Sequence, residues 1–321
     1  MKVQGQVTAG AGHDSVTAGS GNDWIFVGDG NNWVSAGDGD NWITSGNGND
    51  TVISGQGDDV ISVGNGNNSV TADGGNNVVF AWDGNDTATA GMGNDGLYVG
   101  NGNNLVLAGD GNNTVTAGNG NDTVTAGSGN DSIFVDQGNN RVSAGEGNNW
   151  VTAGNGDDTV TAGAGNDVIW AWFGNNVVNA GNGNNVVTSA SGDDILTTGS
   201  GNDLILAGDG DNVIDAGAGY DVVATGSGSD IFIHRLSGNT LSNGLRDSYE
   251  GGFGRDTLRL ELTSAEWARA DVQSDVAAFL AHVAQPLNQF LNPLGLSTQF
   301  NFSATSLSVC NIENLQISVN G

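Results

Sequence analysis

The chain is poor in the residues that most chemistry needs. Its one cysteine, Cys310, excludes an intramolecular disulfide framework and reads as a small buried apolar residue. Only 7 Lys and Arg stand against 36 Asp and Glu in 321 residues, a formal net charge of −29. That balance argues against nucleic acid or an acidic membrane surface as partner and favours divalent cations. Three histidines, His13, His234 and His282, are too few and too scattered for a catalytic base or a metal triad. No run is long and apolar enough to span a membrane. The first residues, Met1 to Gln6, form no apolar segment of signal-peptide type, so export by another signal, or a place within a longer protein, is expected. No Gly-rich phosphate loop sits between a strand and a helix, and the acids are spread evenly instead of gathering in a cleft. No catalysis is expected.

What the chain does have is a nine-residue unit that runs without insertion from Ala9 to Ile233, 25 units in 225 residues. Position four is glycine in all 25, position eight is always apolar, and position six is only Asp or Asn. Such a period specifies a solenoid, despite the disorder-like abundance of Gly and Asn. Positions seven to nine read as a short strand, with position eight pointing inward and seven and nine outward. Position one, mostly Ala, Val, Ser or Thr, should face inward beside position eight. Positions two to six carry the Gly and Asn/Asp chemistry of a tight turn. Each turn hands the chain to a second sheet, giving two strands and two turns per 18-residue coil. Units i and i+2 then stack as parallel strands, and 12.5 coils (225/18) extend roughly 60 Å at ~4.8 Å per coil.

This pattern resembles the nonapeptide repeats of the RTX family of secreted calcium-binding proteins, glycine-glycine-x-glycine-x-aspartate-x-apolar-x. Gly251-Gly252-Phe253-Gly254-Arg255-Asp256-Thr257-Leu258-Arg259 matches it at every defined place. The 25 array units depart at position one and often at position six. The resemblance implies an all-β, right-handed parallel β-roll, with Ca2+ held between stacked turns by position-six carboxylates and turn carbonyls. Calcium takes six to eight oxygens in flexible geometry, which such turns can offer. The implied metal residues are Asp14, Asp23, Asp50, Asp59, Asp86, Asp95, Asp122, Asp131, Asp158, Asp167, Asp194, Asp203, Asp221, Asp230 and, in the matching unit, Asp256.

Position six has a longer period. Asp14 and Asp23 are followed by Asn32 and Asn41, then Asp50 and Asp59, then Asn68 and Asn77, and so on to Asp203. Coils with Asp on both edges thus alternate with coils with Asn on both, a 36-residue repeat that breaks only at Asn212, Asp221 and Asp230. Two arrangements fit. Every inter-turn site is filled, weakly, by one Asp and one Asn; or every second site is empty, with Asn amides hydrogen-bonding along the edge. About 23 filled sites would bring +46 against −29, whereas half that load nearly neutralises the chain, which favours the second. A role as turn formers alone would not require Asp so regularly.

Even units place aromatics at outward positions: Trp24, Phe26, Trp42, Phe80, Tyr98, Phe134, Trp150 and Trp170. Such a row suggests a partner surface, for a glycan, a neighbouring solenoid or another domain. Odd units carry Thr pairs, as at 87/89, 123/125 and 159/161, similar to ice-binding faces but interrupted by Trp33, Ile53, Leu105, Leu107 and Arg141.

After Ile233 the register stops. Residues 234–321 read as a C-terminal cap on the roll of residues 1–233. It comprises an irregular insertion from His234 to Glu250, the matching repeat, and a helix opened by a Thr263–Glu266 capping box. A short segment follows between Pro286 and Pro293, and two or three strands fall within Gln299–Val319. The reading that follows is a secreted, calcium-stabilised structural, adhesive or surface-layer roll, with self-association or a surface ligand as its further partners; the tail also resembles the C-terminal blocks of some RTX proteins, a resemblance that implies type I secretion. Its rivals are an ice-binding face and an accessory module of a secreted enzyme.

Overall fold

The structure is a computed structural model and describes residues 5–236, 246–285, 288–289 and 299–320. The chain divides into two units, Met1–Gly163 and Ala164–Gly321, each a stretch of parallel β-solenoid.

In the first unit alternate strands build two sheets. One runs Gln6–Thr8, Trp24–Phe26, Trp42–Thr44 and onward to Trp150–Asn155; the other runs Ser15–Thr17, Trp33–Gly37, Thr51–Ser54 and onward to Thr159–Ala162. Neighbouring strands are parallel and displaced by one coil of 18 residues, as in Trp24 opposite Trp42 and Thr87 opposite Leu105. The expected stacking of units i and i+2 is therefore present. Position eight supplies the core: Ile25, Ile43, Ile61, Leu97, Ile133 and their neighbours have no exposure. Position one faces inward beside it, with Ala36, Ala72 and Ala108 fully buried. Each buried Val, Ile or Leu contributes about 1.5–3 kcal/mol, so a single polar substitution at position eight would open the roll at that coil.

Position four must be glycine for two reasons. At Gly120 φ is +140°, a backbone region L-residues rarely adopt, and a Cβ there would collide with the Gly102 carbonyl of the coil below. Stacked turns this tight leave no room for a side chain.

In the second unit the two sheets do not stop at Ile233. Asp247–Glu250 pairs with Val222–Thr225, and Leu307–Cys310 pairs with Asp247–Glu250 in turn. On the other sheet Thr257–Thr263 pairs with Ile231–Arg235, and Asn314–Asn320 with Thr257–Thr263. Ile231 faces Thr257 across 26 residues, eight more than one coil, so the segment after Ile233 is an insertion after which the roll resumes. The nine-residue register breaks there as expected, but Asp247–Glu250, expected within the irregular insertion, is a strand of the roll. Three strands fall within Gln299–Val319 or overrun it by one residue, the first of them, Phe300–Phe302, turning antiparallel to Leu307–Cys310. Cys310 is half-buried, not the buried apolar residue expected.

The capping box forms as read. Thr263 accepts from the Glu266 amide, and the Glu266 carboxylate accepts from the Thr263 amide at 2.7 Å, opening α1 (Ser264–Trp267). α2 (Ala270–Val283) buries Val272, Val276 and Phe279, the last ringed by Phe300 and Phe302 at 5.3 and 5.2 Å, and leaves Leu280 exposed. The expected segment between Pro286 and Pro293 lies mostly outside the described residues.

Candidate metal centre

The position-six side chains form buried columns along the sheet edges. Except for Asp14 in the first coil, which is half-buried, every array member is at most 3% exposed. One column shows the chemistry. The Asn104 amide N–H donates to Asp122 Oδ1 at 2.8 Å, and the Asp122 N–H donates to Asn140 Oδ1 at 3.0 Å. The Oδ1 thus accepts a backbone N–H from the coil before it, as Asp50 does from Asn32 and Asn68 from Asp50.

The second oxygen or nitrogen separates the two residue types. Asn104 Nδ2 donates to the carbonyls of Gly100 and Gly102 in its own turn, at 3.0 and 3.1 Å, and reaches Asp122 Oδ1 at 2.9 Å. Asn32 repeats this with Gly28, Gly30 and Asp50, and Asn68 with Gly64, Gly66 and Asp86. Positions two and four therefore aim two carbonyl oxygens at the end of the position-six side chain. In an Asp unit that end is an oxygen too. Oδ2 of Asp23, Asp50, Asp59, Asp86, Asp95, Asp122, Asp131, Asp194, Asp203, Asp221, Asp230 and Asp256 is buried with no hydrogen-bond partner. A buried carboxylate oxygen without a partner is strongly unfavourable. From Ala9 to Ile233 the only Lys or Arg is Arg141, which is exposed at outward position seven. The array itself has no cation to give.

Burial accordingly pushes these carboxyls up. Asp59, Asp86, Asp95, Asp122, Asp131, Asp194, Asp203 and Asp230 are all raised, and Asp158 is raised to about 6. Asp221 and Asp256 reach about 8, because burial is joined there by neighbouring carboxylates. At this end the Asn spacing fails: Asp203 donates its N–H to Asp221, Asp221 to Asp247, and Asp230 to Asp256, at 3.0, 3.1 and 2.9 Å. The Asp256 N–H donates to Glu313 Oε2 at 2.6 Å, and burial raises Glu313 to about 6.

Asp247 and Glu313 were not legible as column members. The signal for Asp247 was present: Asp247-Ser248-Tyr249-Glu250 reads as positions six to nine directly before Gly251. Its Oδ2 lies 3.2 Å from His234 Nδ1, while His234 Nε2 donates to the Thr305 carbonyl at 3.0 Å.

Hard oxygens from one carboxylate, two turn carbonyls and the next side chain suit calcium, which would supply the positive charge the buried columns lack. Among the described residues no group of three or more His, Cys, Asp or Glu side chains could hold a metal, so main-chain oxygens must complete any site.

A β-solenoid whose turns bury carboxylate oxygens without a hydrogen-bond partner, as at Asp50, Asp86 and Asp122, defines a cation-binding repeat protein. The chain belongs to the RTX calcium-binding nonapeptide repeat family, whose model matches residues 6–34, 26–61, 62–97, 98–133, 134–169, 152–187, 173–205, 188–223 and 197–232. It is a calcium-binding protein. A solved structure described as a hyperactive, Ca2+-dependent, β-helical antifreeze protein from an Antarctic bacterium is similar over 84% of this chain and 90% of that chain. Its identity is 22% and its TM-score 0.47. No curated protein matches.

The outward aromatics stand mostly where the repeat put them. Trp24, Trp42, Phe80, Tyr98, Phe134 and Trp150 are exposed, while Phe26 and Trp170 are half-buried. Phe80 and Tyr98 stack at 5.1 Å, and Trp24 and Trp42 lie tilted at 6.4 Å. On the other sheet the Thr pairs are separated by non-hydroxyl rows: Leu105 and Leu107 lie between Thr87/Thr89 and Thr123/Thr125.

Proposed function

We propose that the position-six aspartates, from Asp14 to Asp230, together with Asp256, hold calcium through Oδ2 and the carbonyls of positions two and four. The observation that carries this is the row of buried Oδ2 atoms without partners, in turns where the equivalent Asn Nδ2 donates to those same carbonyls. Ion binding would then be folding energy, with the chelated chain acidic and self-repelling and the loaded chain a rigid roll. The role is structural and extracellular, without catalysis: a surface-layer, adhesive or filament element that acts where calcium is plentiful. The exposed aromatic rows supply its contact surface, for another copy or a surface glycan. Among the described residues no helix is long and apolar enough to cross a membrane.

The test is to titrate calcium into chelator-stripped protein while following β-sheet circular dichroism. A cooperative gain of sheet with multiple ions bound supports the reading; a full sheet spectrum in chelator with no ion bound defeats it. Ice binding through the Thr pairs is the second reading. The Leu105/Leu107 and Arg141 rows break the flat hydroxyl array it needs, and absence of thermal hysteresis would exclude it.

A further inference from the structure

The alternation of Asp and Asn coils has a geometric meaning that goes deeper than turn chemistry, and it rests on the calcium reading above. In a column the Oδ1 atoms accept amide hydrogens from the preceding coil, and the Nδ2 of Asn32, Asn68 and Asn104 reaches the side chain of the coil that follows. Two kinds of space between turns result. Following an Asn, the space is occupied by an NH2 group whose two hydrogens serve three oxygens, as Asn104 does for Gly100, Gly102 and Asp122 and Asn32 does for Gly28, Gly30 and Asp50. Following an Asp, the space receives oxygen alone: Asp122 Oδ2, the carbonyls of its own turn, and Asn140 Oδ1, already fixed on the Asp122 amide.

We propose that the position-six asparagine amide is a built-in substitute for calcium, so that aspartate turns bind ions, asparagine turns exclude them, and the Asp count sets the ion load. An NH2 group is a donor at the place where calcium would be an acceptor of lone pairs, and both satisfy the same two carbonyls. An ion entering an Asn turn would have to displace those donor hydrogens and would gain no carboxylate from that turn. The charge agrees: one Ca2+ at each of the 14 array aspartates brings +28 against −29. Each asparagine coil thereby insulates the carboxylates of one ion-bearing coil from those of the next, and stays bonded when calcium leaves. The roll is in this sense half pre-assembled.

The experiment uses the full chain and two multiple variants, with bound calcium measured by equilibrium dialysis and elemental analysis, and sheet content measured in chelator. The parent should bind between 14 and 16 ions, one for each array aspartate plus at most Asp247 and Asp256. Replacing Asp86, Asp95, Asp122 and Asp131 together by Asn should remove four ions and leave more sheet in chelator than the parent retains. Replacing Asn104 and Asn113 together by Asp should add ions and make the sheet more dependent on calcium. A parent load near the total number of turns would overturn the proposal while leaving the calcium reading standing. So would a fourfold variant that loses twice four ions, or one that melts more readily in chelator than the parent. If that variant fails to fold even in calcium, the proposal is likewise overturned, since Asn is held to satisfy the same turn; the Asn104/Asn113 pair then reports independently. No ion bound by the parent would defeat the calcium reading itself.

Discussion

The array and the last coils use the same turn with different neighbours. In the array each buried carboxylate is followed along its column by an amide, as Asp50 is by Asn68 and Asp86 by Asn104. In the last coils Asp203, Asp221 and Asp247 follow one another without an amide between them, as do Asp230, Asp256 and Glu313. Burial, with a smaller push from adjacent Asp157, raises an array carboxyl such as Asp158 to about 6; burial joined by the carboxylates stacked next to them in the column raises Asp221 and Asp256 to about 8. The difference teaches that asparagine is a spacer. It keeps carboxylates far enough apart for the fold to tolerate their charge, and where it is omitted the need for a cation is greatest.

The largest effect should come from removing calcium at pH 8. In chelator, hydrogen exchange should open the amides of residues 221–236 and 246–262 well before those of residues 69–126, because stacked carboxylates then repel without relief. Simultaneous opening of both regions, or earlier loss of the array, would break the comparison.

The same difference can be read through pH. The sign follows from burial: a carboxyl raised in the fold above its unfolded value binds more protons folded than unfolded between the two values. Stability of the metal-free chain is therefore full below about pH 4 and is lost as pH rises, through about 6 for Asp158 and about 8 for Asp221 and Asp256. With calcium present the trend should reverse over that window, since protons and ions compete for one oxygen. Denaturant titrations from pH 4 to 8, with and without chelator, would show the two slopes; parallel slopes would remove the linkage between carboxyl and ion.

Single substitutions sharpen the contrast. Asp221→Asn would put an amide between Asp203 and Asp247 and should stabilise the metal-free chain by about 1–3 kcal/mol, the scale of one buried polar group regaining partners. Asn104→Leu should do the opposite in the array. It removes the Asn104 donor from the Gly102 carbonyl and leaves the Gly100 carbonyl only the Gly118 amide at 3.2 Å, and should cost about 1–3 kcal/mol in calcium and in chelator alike. A loss seen only in calcium would mean that Asn104 is itself an ion ligand. Thermal or urea unfolding of each variant, measured in both buffers, decides between these.

The repeat made the solenoid and its period of 36 legible, because glycine at position four and an apolar residue at position eight admit one register. The candidate aspartates followed from that register, and the structure places all of them but half-buried Asp14 in buried columns. Three things were not legible. The direction of Oδ1 depends on a side-chain rotamer that composition does not encode. Asp247 was hidden because eight extra residues displace its unit, although Asp247 to Glu250 carries the pattern of positions six to nine before Gly251. Glu313 was hidden because the helices and Phe300–Phe302 intervene and because it reaches the Asp256 amide with one methylene more than the array uses.

Position five shows how much a turn bond weighs when no ion site depends on it. There the ladder runs the other way: Asn103 Oδ1 accepts the Asn121 N–H at 2.7 Å, and Asn121 Oδ1 accepts the Asn139 N–H at 2.7 Å, each side chain reaching the following coil. These side chains are exposed, so water can replace any bond that is lost. Asn121→Ala should therefore cost only about 0.5–1 kcal/mol, equal in calcium and in chelator, and should leave the bound-calcium count unchanged. Should Asn121→Ala cost as much as Asn104→Leu, or change the ion count, the buried and exposed ladders would not be separable. The spacer role assigned to position six would then belong to the turn as a whole.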